Sequence, residues 1–67
     1  MEIRIEKYLN SHLVWEGHSC IVGGKLFYRD ADLEDEIYDA IEKKVKGRAG
    51  FFAFTAGRFY YKLAVWE

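Results

Sequence analysis

Two histidines and one cysteine are the side chains of this sequence best suited to metal binding or nucleophilic chemistry. His18 and Cys20 are two positions apart, so a strand places both side chains on one face. A structural zinc site, however, takes four ligands, usually with C-x₂-C or H-x₃-H spacing, and His12 alone does not complete the set. An active cysteine also needs an orienting partner, and the sequence offers none. We therefore expect Cys20 to be a structural residue.

An acidic segment, residues 30–36 (DADLEDE), shares part of its spacing with a calcium-binding loop. It lacks the glycine that lets such a loop turn sharply and the glutamate that closes it. No glycine-rich phosphate loop is present either, because Gly23-Gly24 is too short for one. The residues predict no catalytic site, no metal and no cofactor, and they favour a protein that is not an enzyme.

Length and composition predict a single domain over residues 1–67. A chain this short buries only about 60% of the surface that its unfolded form exposes. The 51% hydrophobic and 18% aromatic content argues against disorder. Because Cys20 is the only cysteine, we expect a reducing, cytoplasmic location. We expect no membrane segment and no signal peptide, since no apolar run is long enough.

Four short strands are predicted in the N-terminal half. The first alternates isoleucines with charged residues, which is the two-residue period of a half-buried strand. Gly17 is expected to end the second strand, and Gly23-Gly24 supplies the positive φ angles of a tight turn between the third and fourth. The predicted strands are residues 2–8, 12–16, 18–22 and 25–29.

One amphipathic helix is predicted after these strands. Asp30 or Asp32 is expected to cap it, because a short carboxylate accepts hydrogen bonds from the free N–H groups of the first turn. Gly47 is expected to end it. The predicted core-facing stripe consists of Leu33, Ile37, Ala40, Ile41, Lys44 and Val45.

A C-terminal hairpin completes the predicted fold. With Ala56-Gly57 as its loop, Phe54 lies opposite Phe59 and Phe52 lies opposite Tyr61. These aromatic residues share the face that meets the helix. The predicted fold is therefore α+β, an antiparallel sheet in the order ββββαββ with the helix on one face.

The other face of this hairpin raises the question of function. Its aromatic and basic side chains would form a patch that a monomer does not normally leave in water. One interpretation is that the sheet curls into a partial barrel and the N-terminal strands bury the patch. The other is that the patch, or the last strand as a sheet edge, binds a protein or a second copy of the chain. The predicted contact residues are Phe51, Arg58, Tyr60, Lys62 and Trp66.

A second surface is suggested by the charge distribution. Residues 30–42 contain seven acids and no bases, and residues 43–62 contain six bases and no acids. An acidic helix face is usually only solvated. Alternatively it meets a basic protein surface, through Glu34, Asp35, Asp39 and Glu42.

Two functions remain open at this stage. The leading hypothesis is a non-enzymatic protein-interaction module, such as an inhibitor or adaptor of the kind that phages and mobile elements encode, with a linked prediction of homodimerisation. The alternative is a single-stranded nucleic-acid-binding protein that stacks bases on the aromatic residues of the hairpin. Residues 50–54 match the aromatic strand of RNA-recognition modules only in part, because Ala49 stands where a stacking ring is expected.

Overall fold

The computed structural model describes all of residues 1–67 as one antiparallel sheet with a single helix. The elements are β1 (Glu2–Leu9), β2 (His12–Val22), β3 (Lys25–Leu26), α1 (Asp35–Val45), β4 (Gly50–Ala56) and β5 (Phe59–Trp66). The strands lie in the order β3-β2-β1-β5-β4, so β1 and β5 pair in the middle of the sheet. The predicted α+β class is confirmed. No helix is long and apolar enough to span a membrane.

Three strands, rather than the predicted four, precede the helix. The second and third predicted strands are one continuous strand, β2, which passes through Gly17 without a break. A Cβ atom on Gly17 would lie 2.5 Å from Cη2 of Trp15. Glycine at this position leaves room for the indole that packs over it, and the prediction that it ends a strand was wrong.

The predicted Gly23-Gly24 turn is confirmed, but the strand after it is short. Both glycines have positive φ angles, 60° and 80°, as a tight hairpin needs. Only Lys25 and Leu26 pair with β2, in place of the predicted strand over 25–29. Residues 27–34, called the covering segment below, leave the ladder before the helix begins.

The C-terminal hairpin has the predicted faces in a different register. Its loop is Gly57-Arg58, so Ala56 pairs with Phe59 and Phe54 pairs with Tyr61. Gly57 has a φ of 61°, and glycine at the first loop position is typical of a type II′ turn. Moving the loop by one position changes each pairing by two residues, so every side chain keeps its predicted face.

The helix begins later than predicted and has no side-chain cap. Glu34 is the N-cap residue and makes no capping hydrogen bond. The Oδ1 atom of Asp30 accepts a hydrogen bond from the Asp32 N–H at 2.9 Å instead. The predicted cap was wrong because this carboxylate stabilises a turn within the covering segment. At the other end, Lys46 already has a φ of 52°, and Gly47 follows it with 68°.

The core lies between α1 and one face of the sheet. Within the predicted stripe Ile37 and Ala40 are half-buried and Lys44 is exposed. Tyr38, which the stripe omitted, is only 2% exposed. The buried apolar side chains are Ile3, Ile5, Ile21, Leu26, Leu33, Tyr38, Ile41, Val45, Tyr61, Leu63 and Val65. Since this single helix covers one face, the other face of the sheet has no layer over it.

Candidate interaction surfaces

The sheet face that points away from α1, called the open face below, carries most of the predicted contact residues. Phe51, Tyr60 and Trp66 are 90%, 40% and 44% exposed. Lys62 lies between the last two on β5, because alternate residues of a strand share a face. These four residues are called the aromatic patch. Arg58 lies outside it, in the hairpin loop at the end of the sheet.

The predicted alternative of a closed partial barrel is not what the structure shows. β1 extends the sheet sideways from β5 rather than folding over the aromatic patch. The same pairing places β5 between two neighbours, so the prediction that the last strand is an edge was wrong. The edge on this side of the sheet is β4.

Two shallow depressions lie on either side of Lys62. Their volumes are about 390 Å³ and about 370 Å³. The first is lined by Arg4, Glu6, Phe51, Lys62, Leu63 and Ala64, and the second by Phe51, Phe52, Ala53, Tyr60, Lys62 and Leu63. The small alanines set between larger side chains leave room for protruding groups of a partner. Neither depression encloses a ligand as a typical small-molecule site does.

Tyr8 belongs to the same surface and was missed from the sequence. It lies opposite Tyr60 across the β1–β5 ladder, with the two ring centroids 6.3 Å apart. The Nζ atom of Lys62 lies 5.3 Å from the centroid of the Tyr8 ring. The alternation of β1 was visible in the sequence, but its pairing with β5 was not, and only that pairing brings Tyr8 to the patch.

The charges on the β1 side of the open face largely neutralise one another. Arg4 Nη2 lies 2.7 Å from Glu16 Oε2 and 3.3 Å from Glu6 Oε2. Tyr8 donates a hydrogen bond to Glu6 Oε1 at 2.9 Å, and this bond raises the pKa of the Tyr8 hydroxyl. Lys62 forms no ion pair, so the ammonium of the aromatic patch is the one cation of the open face that is not paired with a carboxylate.

Three of the four predicted acidic helix residues surround one arginine. Arg29 of the covering segment lies 3.3 Å from Asp35 Oδ1, 2.9 Å from Asp39 Oδ1 and 3.3 Å from Glu42 Oε2. The hydrogen bond to Asp39, with those to the other two carboxylates, raises the pKa of Arg29. The helix face is thus less negative than its sequence indicates.

Glu42, unlike the other two carboxylates of this group, also bonds to the backbone of β3. Its side chain is only 13% exposed, and Oε2 accepts a hydrogen bond from the Leu26 N–H at 2.8 Å. Lys25 Nζ lies 3.9 Å from its other oxygen. The carboxylate therefore ties β3 to the helix. Glu34, the fourth predicted residue, is the exposed N-cap residue and does not contact Arg29.

The residues first considered for chemistry are not assembled into a reactive site. His18 and Cys20 do share one face of β2, with the histidine exposed and the free thiol half-buried. No group of three or more histidine, cysteine, aspartate or glutamate side chains is placed to hold a metal ion.

Comparisons of the chain with protein-family models, with curated proteins and with solved structures gave no significant match.

Proposed function

We propose that this chain is a non-enzymatic protein-interaction module that binds its partner through the aromatic patch. The observation that carries the proposal is the 90% exposure of Phe51 on a sheet face that no helix or loop covers. Tyr60 and Trp66 add two large rings to the same surface. Aromatic side chains contribute a large share of interface energy, and a patch of this kind in water is typical of a binding site.

The partner expected from this chemistry is a protein with protruding apolar side chains and at least one carboxylate. Apolar groups fit the alanine-floored depressions beside Lys62. A carboxylate would meet the Lys62 ammonium, which makes no ion pair in the chain because Glu6, opposite it across the ladder, bonds to Arg4 and Tyr8 instead. Burial of the rings would supply most of the affinity, while the charge would orient the partner and speed association.

The test compares which proteins of a native-host lysate bind to the immobilised native protein and to the immobilised Lys62→Glu/Trp66→Ala variant. Both residues are exposed, so the variant is expected to keep its circular dichroism spectrum, with a small fall in thermal midpoint because a carboxylate at position 62 lies opposite Glu6. A partner of the patch should bind the native protein and be reduced at least tenfold on the variant. Asp35→Lys, on the helix face, is the matched charge-changing control and should retain the partner.

The acidic helix face is the weaker of the two predicted protein contacts. Three of its carboxylates already hold Arg29, so a basic partner would compete with that arginine. If Asp35→Lys released the partner while Lys62→Glu/Trp66→Ala retained it, the helix face would replace the aromatic patch as the contact surface.

Single-stranded nucleic acid is the second candidate, favoured by the position of Lys62 between Tyr60 and Trp66. Bases stack on exposed rings in a sequence-tolerant way, and a nearby cation contacts the phosphates. The open face also carries Glu6 and Glu16, which would repel a polyanion that crosses it. Protein binding is therefore ranked first. Salt-dependent retention of a labelled oligonucleotide, lost in Lys62→Glu/Trp66→Ala, would reverse the ranking.

The small size is typical of the inhibitors and adaptors that phages and mobile elements encode, and the lone free thiol of Cys20 is suited to a reducing, cytoplasmic location. Homodimerisation stays part of the proposal. Because β5 is paired on both sides, β4 is the strand on this side that a second copy would extend.

A further inference from the structure

The edge strand β4 lacks the features that normally stop a sheet edge from pairing with another chain. Natural edge strands are short, bulged, covered, or marked by charges or proline. β4 is seven residues long, its sequence GFFAFTA contains no charge and no proline, and it pairs with β5 without a bulge. No hydrogen bond outside the ladders involves its backbone. The strand is therefore an unprotected edge.

The register shows which backbone groups of this edge are free. In a two-residue hairpin, the pair that flanks the loop is hydrogen-bonded, and hydrogen-bonded pairs then alternate along the ladder. Here the flanking pair is Ala56 with Phe59. The even-numbered residues of β4 thus bond to β5, while the N–H and C=O groups of Phe51, Ala53 and Thr55 point away from the sheet.

The strand is also complementary to itself when it is reversed. Antiparallel pairing with Ala53 opposite Ala53 of a second copy joins outward-pointing groups to outward-pointing groups, which gives about six backbone hydrogen bonds. Phe51 then lies opposite the partner's Thr55 on the open face. Phe52 lies opposite the partner's Phe54 on the helix side, and cross-strand aromatic pairs are stabilising. Small residues, Gly50 and Ala56, meet at both ends.

We propose that two copies of this chain form a two-fold symmetric dimer by antiparallel β4–β4 pairing centred on Ala53. The result is a continuous ten-stranded sheet, twice the five strands of one copy. The pairing is isologous, as two-fold dimers require, because each copy uses the same strand. It also brings two aromatic patches onto one continuous open face.

The assembly is expected to stop at two copies because the opposite edge is partly covered and otherwise interrupted: the covering segment and β3 occupy residues 18–22 of β2, and a bulge at Val14 distorts residues 12–17. Three outward-facing residues of β2 already have hydrogen-bond or ladder partners within the chain. Phe27 N–H donates to the Cys20 carbonyl at 2.8 Å, and the Tyr28 hydroxyl donates to the His18 carbonyl at 2.8 Å. Val22 pairs with β3. Since β4 is the one edge that is both regular and uncovered along its full length, a pair leaves no such edge free.

The first measurement is the mass of the purified 67-residue chain by light scattering over a range of concentrations. The native protein is expected to reach twice its 7.9 kDa chain mass. Ala53→Pro should be monomeric with an unchanged fold, since its N–H points away from β5 and proline is tolerated at such edge positions. Ala53→Lys places two lysines opposite each other on the two-fold axis and should raise the dissociation constant at least tenfold.

Cross-linking tests the register directly. In a Cys20→Ser background, Ala53→Cys places two thiols on the two-fold axis with Cα atoms about 5.5 Å apart, within the range of a disulfide. Mild oxidation should convert this variant into a covalent dimer. Thr55→Cys is the matched control. It lies opposite the partner's Phe51, about 14 Å from the other new thiol, and should remain uncross-linked.

Three outcomes would overturn the proposal. They are a native protein that stays monomeric at high concentration, a dimer that Ala53→Pro leaves intact, and oxidation of Thr55→Cys in preference to Ala53→Cys. Species larger than a dimer would contradict the closed assembly. Phe51 belongs to both the aromatic patch and the β4 edge, but Lys62→Glu/Trp66→Ala alters only β5 and leaves the β4 edge unchanged. A variant that loses the partner and stays dimeric therefore separates the two proposals.

Discussion

The two edges of the sheet differ in how their outward backbone groups are protected from pairing with another chain. At the β2 edge, the covering segment runs beside the strand and hydrogen-bonds to the carbonyls of His18 and Cys20. Ser19 also donates to the Tyr28 carbonyl at 3.0 Å. A bulge at Val14, the extra residue between the pairs that β2 makes with β1, further distorts this edge. At the β4 edge there is no covering segment, no bulge and no charge.

The longest segment outside regular structure covers the β2 edge and leaves the β4 edge uncovered. Residues 27–34 are the longest segment outside regular structure, and they protect one edge only. A protein of this size that leaves seven regular, uncharged edge residues open has a place for another strand. The covered edge is thus expected to contribute to stability, and the open edge to association.

The largest expected effect comes from disturbing the covered edge at Gly17. Gly17→Ala would bring a methyl group within 2.5 Å of the Trp15 ring. Because Trp15 Nε1 also donates to Asp32 Oδ2 at 3.2 Å, displacing the indole loosens the covering segment. We expect a loss of about 1–3 kcal/mol in the free energy of unfolding, measured by urea denaturation.

The control for this substitution is the same change in a Trp15→Ala background. With the ring gone, Gly17→Ala should cost much less, so the double-mutant cycle isolates the clash. An equal cost in both backgrounds would show that Gly17 is required for its backbone conformation instead.

A smaller effect is expected from Arg29, which fastens the covering segment to the helix. Arg29→Ala removes contacts to Asp35, Asp39 and Glu42, and it leaves the mostly buried Glu42 carboxylate without its arginine. The thermal midpoint should fall. Asp35→Asn is the control, because that side chain is 82% exposed and such pairs contribute little. Equal midpoints for the two variants would mean that the arginine cluster does not hold the segment.

The smallest effects come from two tyrosines that support the two edges differently. The Tyr38 hydroxyl accepts from the Asp30 N–H at 2.8 Å and donates to the Asp30 carbonyl at 3.1 Å, so it anchors the covering segment. Tyr61 stacks on Phe54 of β4, with centroids 5.0 Å apart, and its hydroxyl makes no hydrogen bond. At neutral pH, Tyr38→Phe should cost about 1–2 kcal/mol and Tyr61→Phe under about 0.5 kcal/mol.

The same two residues predict a loss of stability in alkali. Burial raises the pKa of both Tyr38 and Tyr61 above the ordinary value of 10.0. The unfolded chain therefore releases these protons first, so the stability that the neutral hydroxyls provide is present below pH 10 and is lost as the pH rises through the folded-state pKa. Between these limits Tyr61→Phe should lose less stability than the native protein. Parallel pH profiles would show that the pKa of Tyr61 is the same in the folded and the unfolded chain.

Much of the local structure followed from the sequence because its causes are local. Helical spacing placed Leu33, Ile41 and Val45 in the core, and two-residue alternation assigned both faces of the C-terminal hairpin. The hairpin faces were correct even though the loop was misplaced by one position. The reason is that the observed pairing differs from the predicted one by two residues, and a shift by an even number leaves every side chain on the same face.

Other features depended on contacts between distant residues. The space that makes glycine suitable at position 17 depends on where the Trp15 ring packs. The absence of a side-chain cap on α1 depends on Asp30, whose carboxylate stabilises a turn of the covering segment instead. The acidic helix residues looked free in the sequence, but Arg29 reaches three of them through the fold.

The α+β class, the single helix and the outward face of the C-terminal hairpin could be read from the sequence alone. Periodicity and turn chemistry act over a few residues, so a linear sequence contains them in full. Only the tertiary structure decided that β1 pairs with β5, because strand order depends on which distant segments meet. Because β1 pairs with β5, it lies beside the hairpin and leaves the open face uncovered. The same pairing brings Tyr8 next to the aromatic patch and leaves β4, not the last strand, as the free edge.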